Sequence, residues 1–333
     1  MSFSRYNPED SVISSETVVR GLWSGDTNSL TGSLYTSSYT EYYLDVYKDV
    51  SLSAVQFSVQ YGNINGSGSN LINTNVTTTV SGALTPSRVV YGEYRNLVYG
   101  TENTPFSFNN SQTASGIFVV NIARNRYKES LQPGSLNLTL GSGATGLKLI
   151  DDSSTTGLTR FIGENRVYYL ISGSNNTAYS TSTYYGMMFP DLNILVLNAT
   201  SGTLGSVTGS GYGGIPALQT GTSGITSGSF NTVQLYKSIV AGSNFTLQSS
   251  ETVSSRYFFT RIKNSEFNYT TNPSIIDDNG NLLYTSLISN PQTYITTVGM
   301  YNDNNELLAV AKLSKPLTKD FTKEALIRIK LDY

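Results

Sequence analysis

Apolar and polar residues alternate along short segments of this chain, and runs of Gly, Ser, Thr and Asn separate the segments. The clearest is "SAVQFSVQYG", where Val55, Phe57, Val59 and Tyr61 alternate with Gln56, Ser58 and Gln60, the period of a half-buried strand. "PGSLNLTLG" repeats it, with Leu136, Leu138 and Leu140 facing one way. "GIFVVNIARNRYKE" (116–129) starts apolar, and Ile194 to Leu197 are apolar throughout, which predicts central, buried strands. "GLKLIDD" and "RFIGENRVYYLISG" add two further strands. "PSRVVYGEYRNLVYG" (86–100) is rich in aromatics and is read as a sheet edge or contact surface carrying Tyr91, Tyr94 and Tyr99.

One segment has helical spacing. In "NTVQLYKSIVAG", Asn231 is placed to cap, Gln234 follows three residues later, and Val233, Tyr236 and Val240 fall on one face. Gly242 supplies a stop. The C-terminal region returns to alternation. "YITTVGMYNDNNELLAVAKLSKP" (294–316) predicts a hairpin turning at "NDNN", with Leu307, Ala309, Ala311 and Leu313 as its packing face and Pro316 ending the ladder. In "KEALIRIKLDY", Ala325, Ile327, Ile329, Leu331 and Tyr333 alternate with polar neighbours, which puts Arg328 and Lys330 on the wet face of a last strand.

These elements predict a mainly β fold: antiparallel β-sandwich domain or domains, with long polar loops and one or two short helices. The expected organisation is an extended arm over 1–40, a β domain over 41–198, a Gly/Ser/Thr loop over 199–228, and a β region over 229–333 holding the helix, the hairpin and the last strand.

Composition narrows the chemistry. Charged residues make up 13% of the 333 residues and hydrophobic residues 38%, whereas ordinary domains carry about 25% charged residues. The net charge of −2 offers no basic surface for nucleic acid. There is no Cys and no His, so thiolate chemistry, disulfides, thiolate metal sites and imidazole acid–base work are excluded. Carboxylate chemistry stays open, through Asp151 and Asp152 or a pair drawn from Glu93, Glu164 and Asp191, although neighbours on a strand point to opposite faces. "DDNG" (277–280) and "NDNN" (302–305) lack the spacing of a calcium loop and read as turns. No apolar leader and no run of 18 apolar residues is present, so neither a secretory signal nor a membrane helix is expected.

The 24 Tyr are the strongest remaining signal. So many hydroxyls are hard to satisfy in a core, and Tyr is enriched where proteins touch. The candidate contact residues are Trp23, Tyr35, Tyr39, Tyr42, Tyr43, Tyr91, Tyr94, Tyr212, Arg328, Lys330 and Tyr333.

"ITTVGMYNDNNELLAVAKLSKP" (295–316) resembles the hairpin element of tail-collar and tail-fibre attachment proteins of tailed bacteriophages, with Met300 where Leu is usual. The stretch from "RIKNSEFNYTTNPS" to "ALIRIKLDY" is similar to virion structural proteins of large contractile-tailed phages, and "YNPEDSVISSETVVRGLWSGD" followed by "VQFSVQYG" has the same character. The stronger resemblance covers less than a quarter of the chain. It implies a non-enzymatic subunit of a tail, baseplate wedge or associated part, built in the host cytoplasm. Its partners would be other virion proteins and copies of itself, with no cofactor, metal, nucleic acid, membrane or small-molecule substrate. The alternatives are a fibre or collar adaptor or glycan-binding module, and, further off, a polysaccharide-cleaving enzyme with paired carboxylates.

Overall fold

Alternation does produce strands, and in the middle of the chain both faces of those strands are covered. The computed structural model describes residues 5–23, 25, 27–31, 34–35, 43–48, 54–66, 86–108, 112–141, 146–157, 159–199, 227–269 and 272–332. The first elements are β1 (Ser11–Gly21), β2 (Leu34–Tyr35), β3 (Tyr43–Tyr47), β4 (Val55–Asn63) and α1 (Pro86–Tyr99). Next come β5 (Phe106–Phe108), β6 (Gln112–Ala114), β7 (Gly116–Ile122), β8 (Ser130–Leu131), β9 (Asn137–Leu140) and β10 (Leu147–Asp151). They are followed by α2 (Ser153–Thr156), β11 (Arg160–Ile162), β12 (Asn165–Ser174), β13 (Thr177–Ser180), β14 (Gly186–Phe189) and β15 (Ile194–Asn198). The last are α3 (Ser227–Gly242), β16 (Phe245–Thr246), β17 (Gln248–Ile262), α4 (Ser286–Ser289), β18 (Thr293–Tyr301), β19 (Leu307–Lys319) and β20 (Ala325–Asp332). The protein is mainly β, and the strand pairings are antiparallel. The chain divides into two units, Val18–Glu251 and a smaller one made of Met1–Thr17 with Thr252–Tyr333. The helix that the sequence placed with 229–333 belongs to the larger unit.

The larger unit is built on one sheet in the order β16-β9-β10-β12-β14-β15-β7-β4-β3-β2, with β11 and β13 beside β12. Phe118, Val120 and Ile122 enter one core with Phe57, Val59, Leu195 and Leu197. Their neighbours Ile117 and Val119 enter a second core with Val196, Met187 and Val167. This two-sided burial is why "GIFVV" and "ILVL" are apolar without a break. The sheet curls. β4 is eighth in the order and β16 first, yet the rings of Phe57 and Phe245 lie 5.4 Å apart. Ser29, just before β2, bridges Thr246, and the Leu30 amide donates to Phe245 O at 2.9 Å.

α1 corrects the edge reading of residues 86–100. Ser87, Val90, Tyr91, Tyr94 and Val98 are buried at helical spacing, Pro86 stands at the first helical position, and Gly100, at φ 65°, closes the last turn. Its approach to β4 depends on Gly62, where a Cβ would lie 2.8 Å from the Tyr91 backbone nitrogen. α3 begins at Ser227, so Asn231 is a buried helical residue and not the expected cap. Leu235, Tyr236 and Ile239 face the core while Val240 is exposed. Gly242 ends the helix against β9, where a Cβ would stand 1.8 Å from Thr139 O. Ser243, at φ 50°, takes the left-handed position.

In the smaller unit β17 pairs with β20 from Ser255↔Asp332 to Ile262↔Ala325, in the order β1-β17-β20. β18 and β19 form a separate hairpin. The two sheets share a core of Phe258, Ile262, Ile327 and Ile329, against which Val298, Met300, Ala311 and Leu313 are half-buried. This is the packing of a small sandwich. The turn forms as expected: the Asn302 side chain accepts the Asn304 and Glu306 amides at 3.0 and 2.8 Å, and Asn305 sits at φ 63°. "DDNG" is likewise a turn, with Asp277 accepting the Asn279 and Asn281 amides. Pro316 does not end the ladder. β19 runs on to Lys319, and the register jumps from Thr297↔Lys312 to Ile295↔Leu317, so Pro316 lies in a bulge where no ladder amide is needed. Leu307, expected on the packing face, is exposed.

Candidate interface

The carboxylates decide whether a cleaving site is assembled. Asp151 is fully buried. It accepts the Gly134 amide at 2.9 and 3.0 Å, the Ser153 amide at 3.3 Å and the Ser153 hydroxyl. Burial pushes its carboxyl up despite those donors. Asp152 takes Arg160 Nη1 at 2.5 Å and the Tyr169 amide at 2.9 Å, and Arg160 lies over the Tyr169 ring. Each carboxylate is thus buried and consumed in tying a turn to the sheet. Glu93 and Glu164 are exposed, and Asp191 is paired with Arg166 Nε at 2.8 Å and with Arg166 Nη2. Among the described residues no group of three or more acidic side chains is placed to hold a metal, and no described helix is long and apolar enough to cross a membrane.

The Asp191 pair has a testable consequence. Its hydrogen bond to Arg166 holds the Asp191 carboxyl below the ordinary range, so its stabilisation is present above the unfolded-state pKa and is lost as pH falls through the depressed value. Asp151 acts in the opposite sense: its contribution is full below the ordinary carboxylate pKa and fades as pH rises through the raised one. Asp191→Asn is therefore expected to flatten the acid limb of a urea-midpoint-versus-pH curve. A limb as steep as wild type would show that the pair contributes nothing.

The aromatic candidates separate. Trp23, expected at an interface, is buried in the chain's own core: Nε1 donates to Phe245 O at 2.9 Å and the ring meets Phe245 and Phe57 at 4.8 and 5.6 Å. Tyr91 is also internal, because its hydroxyl donates to Ala114 O at 2.8 Å and accepts the Phe106 amide at 2.9 Å. Tyr94 is buried, with its phenol pushed up to about 12 by burial first and by Glu93 second. Backbone groups of the β5–β6 hairpin satisfy the Tyr91 hydroxyl, and Asn121 and Gln60 that of Tyr94. That is what the surface argument left out. Tyr43 is half-buried in β3, and Tyr35 lies in β2. Tyr39, Tyr42, Tyr212 and Tyr333, with most of the 199–228 loop, fall outside the described residues. Arg328 and Lys330 are exposed as expected, flanking the Tyr257 ring at 5.4 and 6.0 Å.

Where apolar side chains do reach the surface is uneven. Of the 21 exposed large hydrophobic side chains among the described residues, fifteen belong to the smaller unit, less than a third of the chain. Tyr294, Leu308 and Val310 stand on the hairpin itself, more than half exposed. None was singled out from the sequence. The available signal was the absence of any charge or Pro from "TYITTVGMY", the whole of β18.

Comparison with family models, with curated proteins and with solved structures found no match. The reading of this surface therefore rests on the residues themselves.

Proposed function

We propose that the chain is a non-enzymatic structural subunit that works through contacts with neighbouring chains, and that its setting is the tail of a contractile-tailed bacteriophage, as a baseplate wedge or associated part. The observation that carries the first half is the concentration of exposed apolar side chains on the smaller unit. Covering such groups is favourable, because each Å² of apolar surface removed from water is worth about 25 cal/mol. The second half rests on the resemblance of the 295–316 hairpin to tail attachment proteins. The inward use of Asp151 and Asp152 leaves the paired-carboxylate alternative without its first candidates, and the burial of Trp23 takes the one Trp from a glycan-binding patch. Mass spectrometry and electron cryo-microscopy of particles purified from the source lysate test the reading. The expected result is this chain in several symmetric copies per particle; its absence from intact particles would overturn the proposal.

A further inference from the structure

Among the described residues the smaller unit has four strand edges, and three are guarded. β1 carries Glu16, β20 carries Arg328, Lys330 and Asp332, and β19 carries Lys312, Lys315 and Pro316. Charges, Pro and bulges are the usual means by which an edge is kept from pairing with another chain. β18 has neither charge nor Pro over nine residues, and among the described residues β19 is its only strand neighbour.

We infer that β18 is the edge through which the protein pairs with a second copy of itself, antiparallel and about a two-fold axis at Gly299. This deepens the assembly reading above and rests on it. Val298 and Met300 point to the unit's own core, while Thr297, Gly299 and Tyr301 point away from it. With Gly299 opposite its own copy, Val298 faces Met300 and Thr297 faces Tyr301, so inward meets inward and outward meets outward. A slip of one residue would set Val298 against Tyr301 and mix the faces. No charge is brought opposite another. A strand bearing charge at its inward positions would instead place it beside Val298 or Met300, at the rim of an apolar layer. β18 is uncharged and matches face to face.

Gly299 suits the axis. It carries no side chain, and the Tyr301 ring lies against it, 2.9 Å from where a Cβ would stand. Pairing turns a two-stranded hairpin into a four-stranded sheet, past the three strands that independent stability needs. Because the contact is isologous it closes at two copies and leaves no open uncharged edge to grow a fibre.

Sedimentation velocity and native mass spectrometry on the full chain test the pairing. Wild type is expected to dimerise. Thr297→Glu and, separately, Tyr301→Lys each remove the two Thr297–Tyr301 cross-strand contacts on the outer face and are expected to weaken the dimer about fivefold, with unchanged circular dichroism. Combined, the two substitutions put a carboxylate opposite an ammonium only in the Gly299-centred register, and are expected to recover most of that loss. A monomeric wild type, a dimer indifferent to both substitutions, or a double variant no better than the singles would each overturn the pairing. A monomer still found in purified particles would sink the self-pairing alone, whereas absence from particles would sink the assembly reading.

Discussion

Replacing Trp23 by Ala is expected to destabilise the larger unit by about 4 kcal/mol, the largest single effect among these residues. The ring is 2% exposed and touches both Phe57 and Phe245, which belong to strands far apart in the sheet order. Its removal leaves a void where the curl turns on itself. It also removes one of two donors to Phe245 O, which keeps the Leu30 amide, and the lost hydrogen bond adds about 1 kcal/mol. Trp23→Phe keeps most of the volume and loses the indole N–H, so it separates the two contributions and is expected to cost about half as much. Urea unfolding followed by far-UV circular dichroism gives both numbers. A loss under about 1 kcal/mol for Trp23→Ala would mean that the sheet does not need this side chain to hold its curl.

Lys319→Met is expected to cost the smaller unit about 3 kcal/mol. Lys319 is fully buried, and its ammonium is held by Asn264 O at 2.9 Å, Asn268 Oδ1 at 2.8 Å and Asp320 O at 2.9 Å. All three ammonium protons are used, and no carboxylate contributes. Methionine preserves the length of the stem, so packing changes little while three acceptors lose their donor. The 264–268 loop is tied down by this ammonium. The Asn268 amide also donates to Asn264 O at 2.6 Å, which closes the ring of contacts. Hydrogen exchange is expected to accelerate over 264–268 and over β19 while the larger unit keeps its protection. Unchanged exchange in the loop would show that water replaces the ammonium without loss.

Strand content was legible in the sequence wherever burial is one-sided or complete, because period 2 and unbroken apolar runs both have a single structural meaning over such lengths. β4, β7, β9, β15 and the β18–β19 hairpin follow from that. α1 was not legible by the same rule. Its helical face is written with Val90, Tyr91, Tyr94 and Val98, residue types that favour strands, and only their spacing marks it. α3 was found but begins four residues ahead of Asn231, which is buried inside the helix and does not cap it. The Tyr-rich surface was over-read at Tyr91 and Tyr94, because hydroxyl partners supplied by distant backbone are invisible in a linear sequence. The β18 edge lay open to the same reading, since a missing charge is as readable as a charge once the neighbouring edges are known to carry them.

The smaller unit is discontinuous, with one part before residue 18 and the other after residue 251. β1 is therefore made long before β17, its sheet neighbour. At ribosomal rates the interval is on the order of ten seconds or more. Through that time β1 waits without a ladder, and the charges at Glu16 and Arg20 protect it from straying onto nascent chains nearby. β18 is synthesised after β17 and needs no such protection, because its hairpin partner follows within a few residues. On the self-pairing proposed above, competence to pair thus arrives only when translation is nearly done.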